Sequence, residues 1–146
     1  MNTLKVAALL ALSCLFGGCS SGAEEVVRAP SPGNVVDALV VESSGGATTS
    51  FLYEICVVAH EMRCARADVV ANLYGATRSD RAYGVNVRWV DPRHLVIEYK
   101  NAKRSTLIRP TVNVGSETIS ISLAAGVMDA SAPDGGMAYS KRKPSN

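Results

Sequence analysis

From residue 34 onward, apolar and polar side chains alternate with a period of two over short stretches, the pattern of strands that bury one face. The clearest stretch is ETISISL, residues 117–123: Ile119, Ile121 and Leu123 share one face, and Thr118, Ser120 and Ser122 the other. In the preceding LIRPTVNV, residues 107–114, Val112 and Val114 share a face, and the intervening GSE is a short turn, so the two runs make a hairpin. Pro110 has no amide donor and marks an edge or a strand start. A second hairpin is written in GVNVRWVDPRHLVIEY, residues 84–99. Val85, Val87 and Trp89 alternate with Asn86 and Arg88, and Leu95, Ile97 and Tyr99 resume the alternation beyond a DPRH turn. Asp91 starts that turn and Pro92 presets its φ angle. Trp89 falls on the inward face and is expected to anchor the core.

Two further runs, NVVDALVVE at 34–42 and SFLYEICVVA at 50–59, are rich in β-branched and aromatic residues and read as strands. The segment SSGGATTS between them holds Gly45 and Gly46, which can take the positive φ that a hairpin reversal requires. Its amides and hydroxyls could instead form a concavity for a glycan or an anion, with Thr48 and Thr49 as the candidate ligand residues. The turn reading is the stronger of the two. Residues 60–76, HEMRCARADVVANLYGA, are ambiguous, because Ala65, Val69 and Leu73 fit one helical face while DVVANLYG fits a strand; the strand is favoured. No repeat of propeller or solenoid length recurs. Six or seven short strands separated by turn signals predict an all-β, mainly antiparallel fold: a compact sandwich or small barrel, with room for one short helix.

Ahead of this domain, residues 1–18 carry one cation at Lys5, an apolar run of eleven residues at 6–16, and then Gly17 and Gly18, the layout of an export signal. The run is too short to span a bilayer, which takes about 20 apolar residues. LFGGC, residues 15–19, resembles the lipobox of bacterial lipoproteins, where small residues precede the cysteine that is acylated and becomes N-terminal; Phe16 departs from the usual leucine. The resemblance implies lipidation of Cys19 with acyl chains such as palmitate. With Ser20 rather than aspartate next, it also implies delivery to an outer membrane, facing the periplasm. Two or more chains give lasting attachment. The alternative is ordinary secretion, with Cys19 a free or paired thiol. On this reading residues 1–18 are a signal peptide, 19–33 the lipid anchor and a flexible tether, 34–128 a single β-rich domain, and 129–146 a loop and disordered basic tail.

Export changes the arithmetic of charge and cysteine. Loss of Lys5 leaves fourteen of the fifteen Lys and Arg against thirteen Asp and Glu, and three of those cations sit together at Lys141, Arg142 and Lys143. A nucleic-acid partner is not expected, since no clustered basic face with interleaved aromatics is written. Cys14 leaves with the signal and Cys19 is assigned to lipid, so only Cys56 and Cys64 remain. In an oxidising compartment they either close a small disulfide loop or stand as two buried free thiols; the bridge is favoured.

Candidate chemistry is sparse. HEMRC, residues 60–64, would set His60 and Cys64 on one side of a helix near Glu61, but the zinc-protease motif needs a histidine where Cys64 stands, and His94 lies in a turn. No Gly-x-Ser-x-Gly elbow occurs. No catalytic residue, metal site or cofactor is therefore assigned.

SPGNVVDALVVESSGGATTSFLYEICVV resembles the start of a family of small bacterial proteins, often lipoproteins, with a Ser-Pro-Asp-Gly element, a strand, then Gly-Ala-Thr-Thr and another strand. Ser31, Pro32 and Gly33 match the first element without its aspartate, and Gly46, Ala47, Thr48 and Thr49 match the second. The resemblance implies no particular activity. RWVDPRHLVIEY is also similar to strands of periplasmic propeller blades, although a propeller needs at least four blades and this chain has room for two at most. The expected function is that of a lipid-anchored, non-enzymatic envelope protein with an interaction or maintenance role. Its expected partners are the membrane, through the lipid, and an envelope protein or cell-wall component. The alternatives are a periplasmic inhibitor or small-ligand-binding lipoprotein, and, third, an enzyme.

Overall fold

Strands form wherever the sequence predicts them and in two places where it does not. In a computed structural model that describes residues 22–78 and 83–127, nine strands follow in order: β1 (Glu24–Pro30), β2 (Val36–Ser44), β3 (Phe51–Ala59), β4 (Val69–Tyr74), β5 (Asn86–Asp91), β6 (His94–Tyr99), β7 (Arg104–Leu107), β8 (Thr111–Val114) and β9 (Glu117–Ala125). The expected export signal, Cys19 and the basic tail expected at the C-terminus lie outside the described residues. Strands β1-β2-β3-β4-β7 make one antiparallel sheet, and β5-β6-β9-β8 a second in which β6 and β9 run parallel.

The two sheets face each other as a sandwich, with β1 and β2 packed across β5, and β3 across β8. The described strands do not close into a barrel. One core fills the gap: Val40, Tyr53, Ile55 and Leu73 come from the first sheet, and Val87, Leu95, Ile97 and Ile119 from the second. Each such side chain contributes roughly 1.5–3 kcal/mol through its removal from water. Trp89 also crosses the gap, its Nε1 donating to the Ala29 carbonyl on β1 at 2.9 Å. The fully buried Tyr53 hydroxyl accepts the Gly84 amide at 3.2 Å, and burial, with Glu42 nearby, pushes its pKa upward. Gly84 is there for space: a Cβ would stand 2.7 Å from that of Ala76.

The strand count and the tether need correction, while the strand favoured over a helix and the sandwich, one of the two folds expected, are both found. The strand count is nine rather than six or seven. The only helical element among the described residues is a single 3-10 turn, Arg66–Asp68, and 69–74 is the strand β4. The sandwich prevails over the barrel. Within the tether expected over 19–33, residues 24–30 are a strand that pairs with β2 as an edge. Its two valines escape the period of two through a register shift between Glu25 and Val27, so that Val26 and Val27 are both buried.

A smaller apolar cluster lies on the outer face of the five-stranded sheet, where Leu39, Cys56, Val58 and Val69 are covered from the side of Cys64. A disulfide joins Cys56 on β3 to Cys64 and pins the connection between β3 and β4 there. Arg109 holds the same connection from β8's side, its guanidinium donating to the carbonyls of Ala67 and Val69. A loop that would otherwise fray is thus fastened at both ends.

Candidate functional site

Alternation along β2 turns Val36, Ala38 and Val40 inward and leaves Asp37 and Leu39 on the outer face. Asp37 is nonetheless fully buried, since the pinned loop and β1 close over it. A buried carboxylate must be paired and hydrogen-bonded. Asp37 has three donors: Arg28 Nη1 at 2.6 Å, His60 Nδ1 at 2.8 Å and the Glu61 amide at 2.9 Å. Burial pushes the carboxyl up, but the bonds from His60, the Glu61 amide and Arg28 together outweigh it and hold its pKa below the ordinary value. Arg28 is pushed up, first by Glu25, whose carboxylate takes Nε and Nη2 as a fork at 2.8 Å each. Its Nη2 also reaches the Met62 carbonyl at 3.1 Å.

The loop's backbone is shaped for this network. Glu61 has φ +64°, a left-handed conformation unusual outside glycine, and that turn aims its amide at Asp37. Because a carboxylate only accepts, the hydrogen bond places a proton on Nδ1 of the partly exposed His60 side chain. Beside it lies an open cleft of 690 Å³ lined by Glu24, Glu25, Arg28, His60, Glu61 and Arg63, with Asp37 behind. Both signs of charge face it. A hollow of 410 Å³ between the sheets, lined by Pro32, Val35, Pro92 and Arg93, is more apolar.

The residues singled out from the sequence sit elsewhere or have other work. Thr48 and Thr49 occupy an exposed turn at the opposite end of β3 from His60. Both the amide and the hydroxyl of Thr49 donate to the Gly46 carbonyl, at 3.1 and 3.0 Å, so this turn closes on itself. Of its glycines only Gly46 takes a positive φ, +118°. Ser31, Pro32 and Gly33 form the turn at the other end of β2, where the buried Ser31 hydroxyl accepts the Val36 amide at 3.1 Å and Gly33 takes φ +101°. The two short motifs are therefore the turns that bracket β2.

HEMRC is a loop rather than a helix, and Cys64, bonded to Cys56, offers no thiolate to a metal. Among the described residues, no three His, Cys, Asp or Glu side chains gather as a metal site. His94 is held by Asp91 Oδ2 at 2.6 Å within the β5–β6 turn. The Arg93 amide is the main influence holding the Asp91 carboxyl below its ordinary pKa. Among the described residues, neither histidine hydrogen-bonds a serine, threonine or cysteine. The arrangement orients an imidazole without presenting a nucleophile to it.

No family model matches the chain, and neither a curated protein nor a solved structure matches it significantly. The site is thus read from its own geometry. Arg28, Asp37 and Glu25 were missed in the sequence. One signal was available: Asp37 is a lone carboxylate inside NVVDALVV, where an apolar strand must either expose it or pair it.

Proposed function

We propose that the chain is an exported interaction module of the cell envelope. It is anchored through an acylated Cys19 to the outer membrane, faces the periplasm, and recognises an envelope protein or cell-wall component with the cleft around His60. The observation that carries this reading is the fastening of His60, Glu61 and Arg63 beside that cleft, by a disulfide at one end of their loop and a buried Asp37 at its base. Recognition benefits when polar groups are held in place before the partner arrives. A disulfide of this kind persists in oxidising compartments, which agrees with export.

Affinity capture from chemically cross-linked envelopes tests the reading. The native chain is expected to retain a stoichiometric partner, and the exposed-residue variant His60→Ala/Arg63→Ala to lose it by about tenfold, as expected for truncating residues central to an interface. Capture of a cell-wall hydrolase would specify an inhibitor. Equal capture by both proteins would refute the cleft as the recognition surface.

A further inference from the structure

The topology decides which end of the sandwich an N-terminal anchor would hold against a membrane. β1 starts at Glu24, five positions beyond Cys19, and an extended chain covers at most about 3.6 Å per residue, so Glu24 lies within about 18 Å of the acylated position. The strand register then names the neighbours of that end. Glu24 pairs with Glu42 near the end of β2, Ser44 with Phe51 at the start of β3, and Tyr74 at the end of β4 with Arg104 at the start of β7. In the second sheet, the bond from the Gly84 amide to Tyr53 brings the start of β5 there, and pairing of Asn86 with Glu98 brings the end of β6. The connections are tied together, Thr77 N to the Asn101 carbonyl at 3.0 Å and Lys103 Nζ to Ser50 Oγ at 2.8 Å.

Charge is distributed unevenly between the two ends. Among the described residues, the anchor end exposes Arg78, Lys100, Lys103 and Arg104 together with Glu24, while Glu42 there is largely buried. Arg78 is engaged by Glu42 at 3.0 Å and lies over the Phe51 ring, which leaves Lys100, Lys103 and Arg104 as exposed cations at an end whose exposed carboxylate, among the described residues, is Glu24. At the far end Arg63, Arg66, Arg93 and Arg109 are matched by Glu61, Asp68, Asp91 and Glu117. The attraction of cations to an anionic bilayer fades within a Debye length, about 8 Å at physiological salt, so only the end held close by a short anchor can use it.

We propose that the anchor end is a membrane-facing surface on which Lys100, Lys103 and Arg104 contact anionic phospholipid headgroups. The proposal rests on the lipid-anchor reading for its orientation. Docking this end on the bilayer stands the sandwich upright and carries the loop bearing His60 and Arg63 to the side away from the membrane, open to a partner.

The test uses the whole mature chain with Cys19→Ser, so that no acyl chain contributes, and vesicles of phosphatidylcholine with or without phosphatidylglycerol. The protein is expected to sediment with the anionic vesicles only, and to be released at about 1 M salt, where the Debye length is roughly 3 Å. Neutralising Lys100→Gln/Lys103→Gln/Arg104→Gln weakens that binding by about fivefold per cation, while Arg66→Gln/Arg93→Gln at the far end leaves it unchanged. The basic tail is present in every variant, so binding carried by the tail alone would leave the triple variant equal to the parent and overturn the proposal. Displacement by soluble glycerol phosphate at constant ionic strength would also overturn it, by assigning the site to a free anion. Mass measurement of the native N-terminus tests the anchor separately: an unmodified Cys19 ends the anchor reading and with it the orientation, whereas the vesicle result bears on the patch alone.

Discussion

Replacing Asp37 by alanine is expected to destabilise the domain by about 3 kcal/mol, near the lower bound for removing one partner of a buried ion pair. The reason lies in what remains. Arg28 keeps its fork to Glu25, but His60 loses its acceptor and the Glu61 amide is left in its left-handed turn without a partner. Urea unfolding followed by circular dichroism measures the effect as a lower midpoint at an unchanged slope. Asp37→Asn keeps the shape and removes the charge, so it separates the two contributions. The pH dependence has a definite sign. Because the folded carboxyl titrates below its unfolded value of 3.8, the stability it contributes is present in full above about pH 4 and is lost as pH falls through the folded pKa. The native domain should therefore weaken more steeply below pH 4 than Asp37→Asn does; identical acid limbs would show that Asp37 is not the group responsible.

Breaking the Cys56–Cys64 bridge is the second large effect. For a bridge between positions eight apart, loop entropy assigns about 2.5 kcal/mol, and Cys56→Ala adds the exposure of a small cavity beside Leu39, Val58 and Val69. The same change frees the segment that carries His60 and Arg63. Asp37 and the disulfide act on one loop, so their effects should not add: in the double variant the loss is expected to fall short of the sum by about 1 kcal/mol or more. Strict additivity would show that the loop is not a single cooperative unit. Both measurements are independent of any ligand.

Much of the fold is legible in the chain because β5, β6, β8 and β9 carry their own alternation, β2 and β3 are runs of β-branched and aromatic residues, and turn chemistry separates them. What escapes is non-local. β1 holds only two valines, adjacent ones, and a bulge buries both, so no period of two can be written there. β7, RSTL, is four residues long and mostly exposed, held as an edge by its pairing with β4. The parallel pairing of β6 with β9 depends on the chain leaving for the other sheet through β7 and returning, a choice that no stretch of either strand encodes. The site divides in the same way. His60 and the cysteine pair stand out as residue types, and Asp37 is conspicuous in its apolar strand, whereas the ion pair from Arg28 exists only because β1 docks beside β2. The threonines of the β2–β3 turn drew notice for their hydroxyls, yet the hydroxyl of Thr49 closes the turn that carries it.

If the fastened loop is the face offered to a partner, as proposed, it lies within cross-linking reach of that partner. A photo-activated cross-linking residue placed at Arg63 in intact cells tests this, with the same residue at Ser122 on the exposed face of the four-stranded sheet as the comparison. The expected result is a discrete adduct from position 63 that is absent from position 122 and depleted when Asp37 is replaced by alanine. An exported, folded protein that gives no adduct at position 63, or the same adduct from both positions, would show that the loop is not the recognition face.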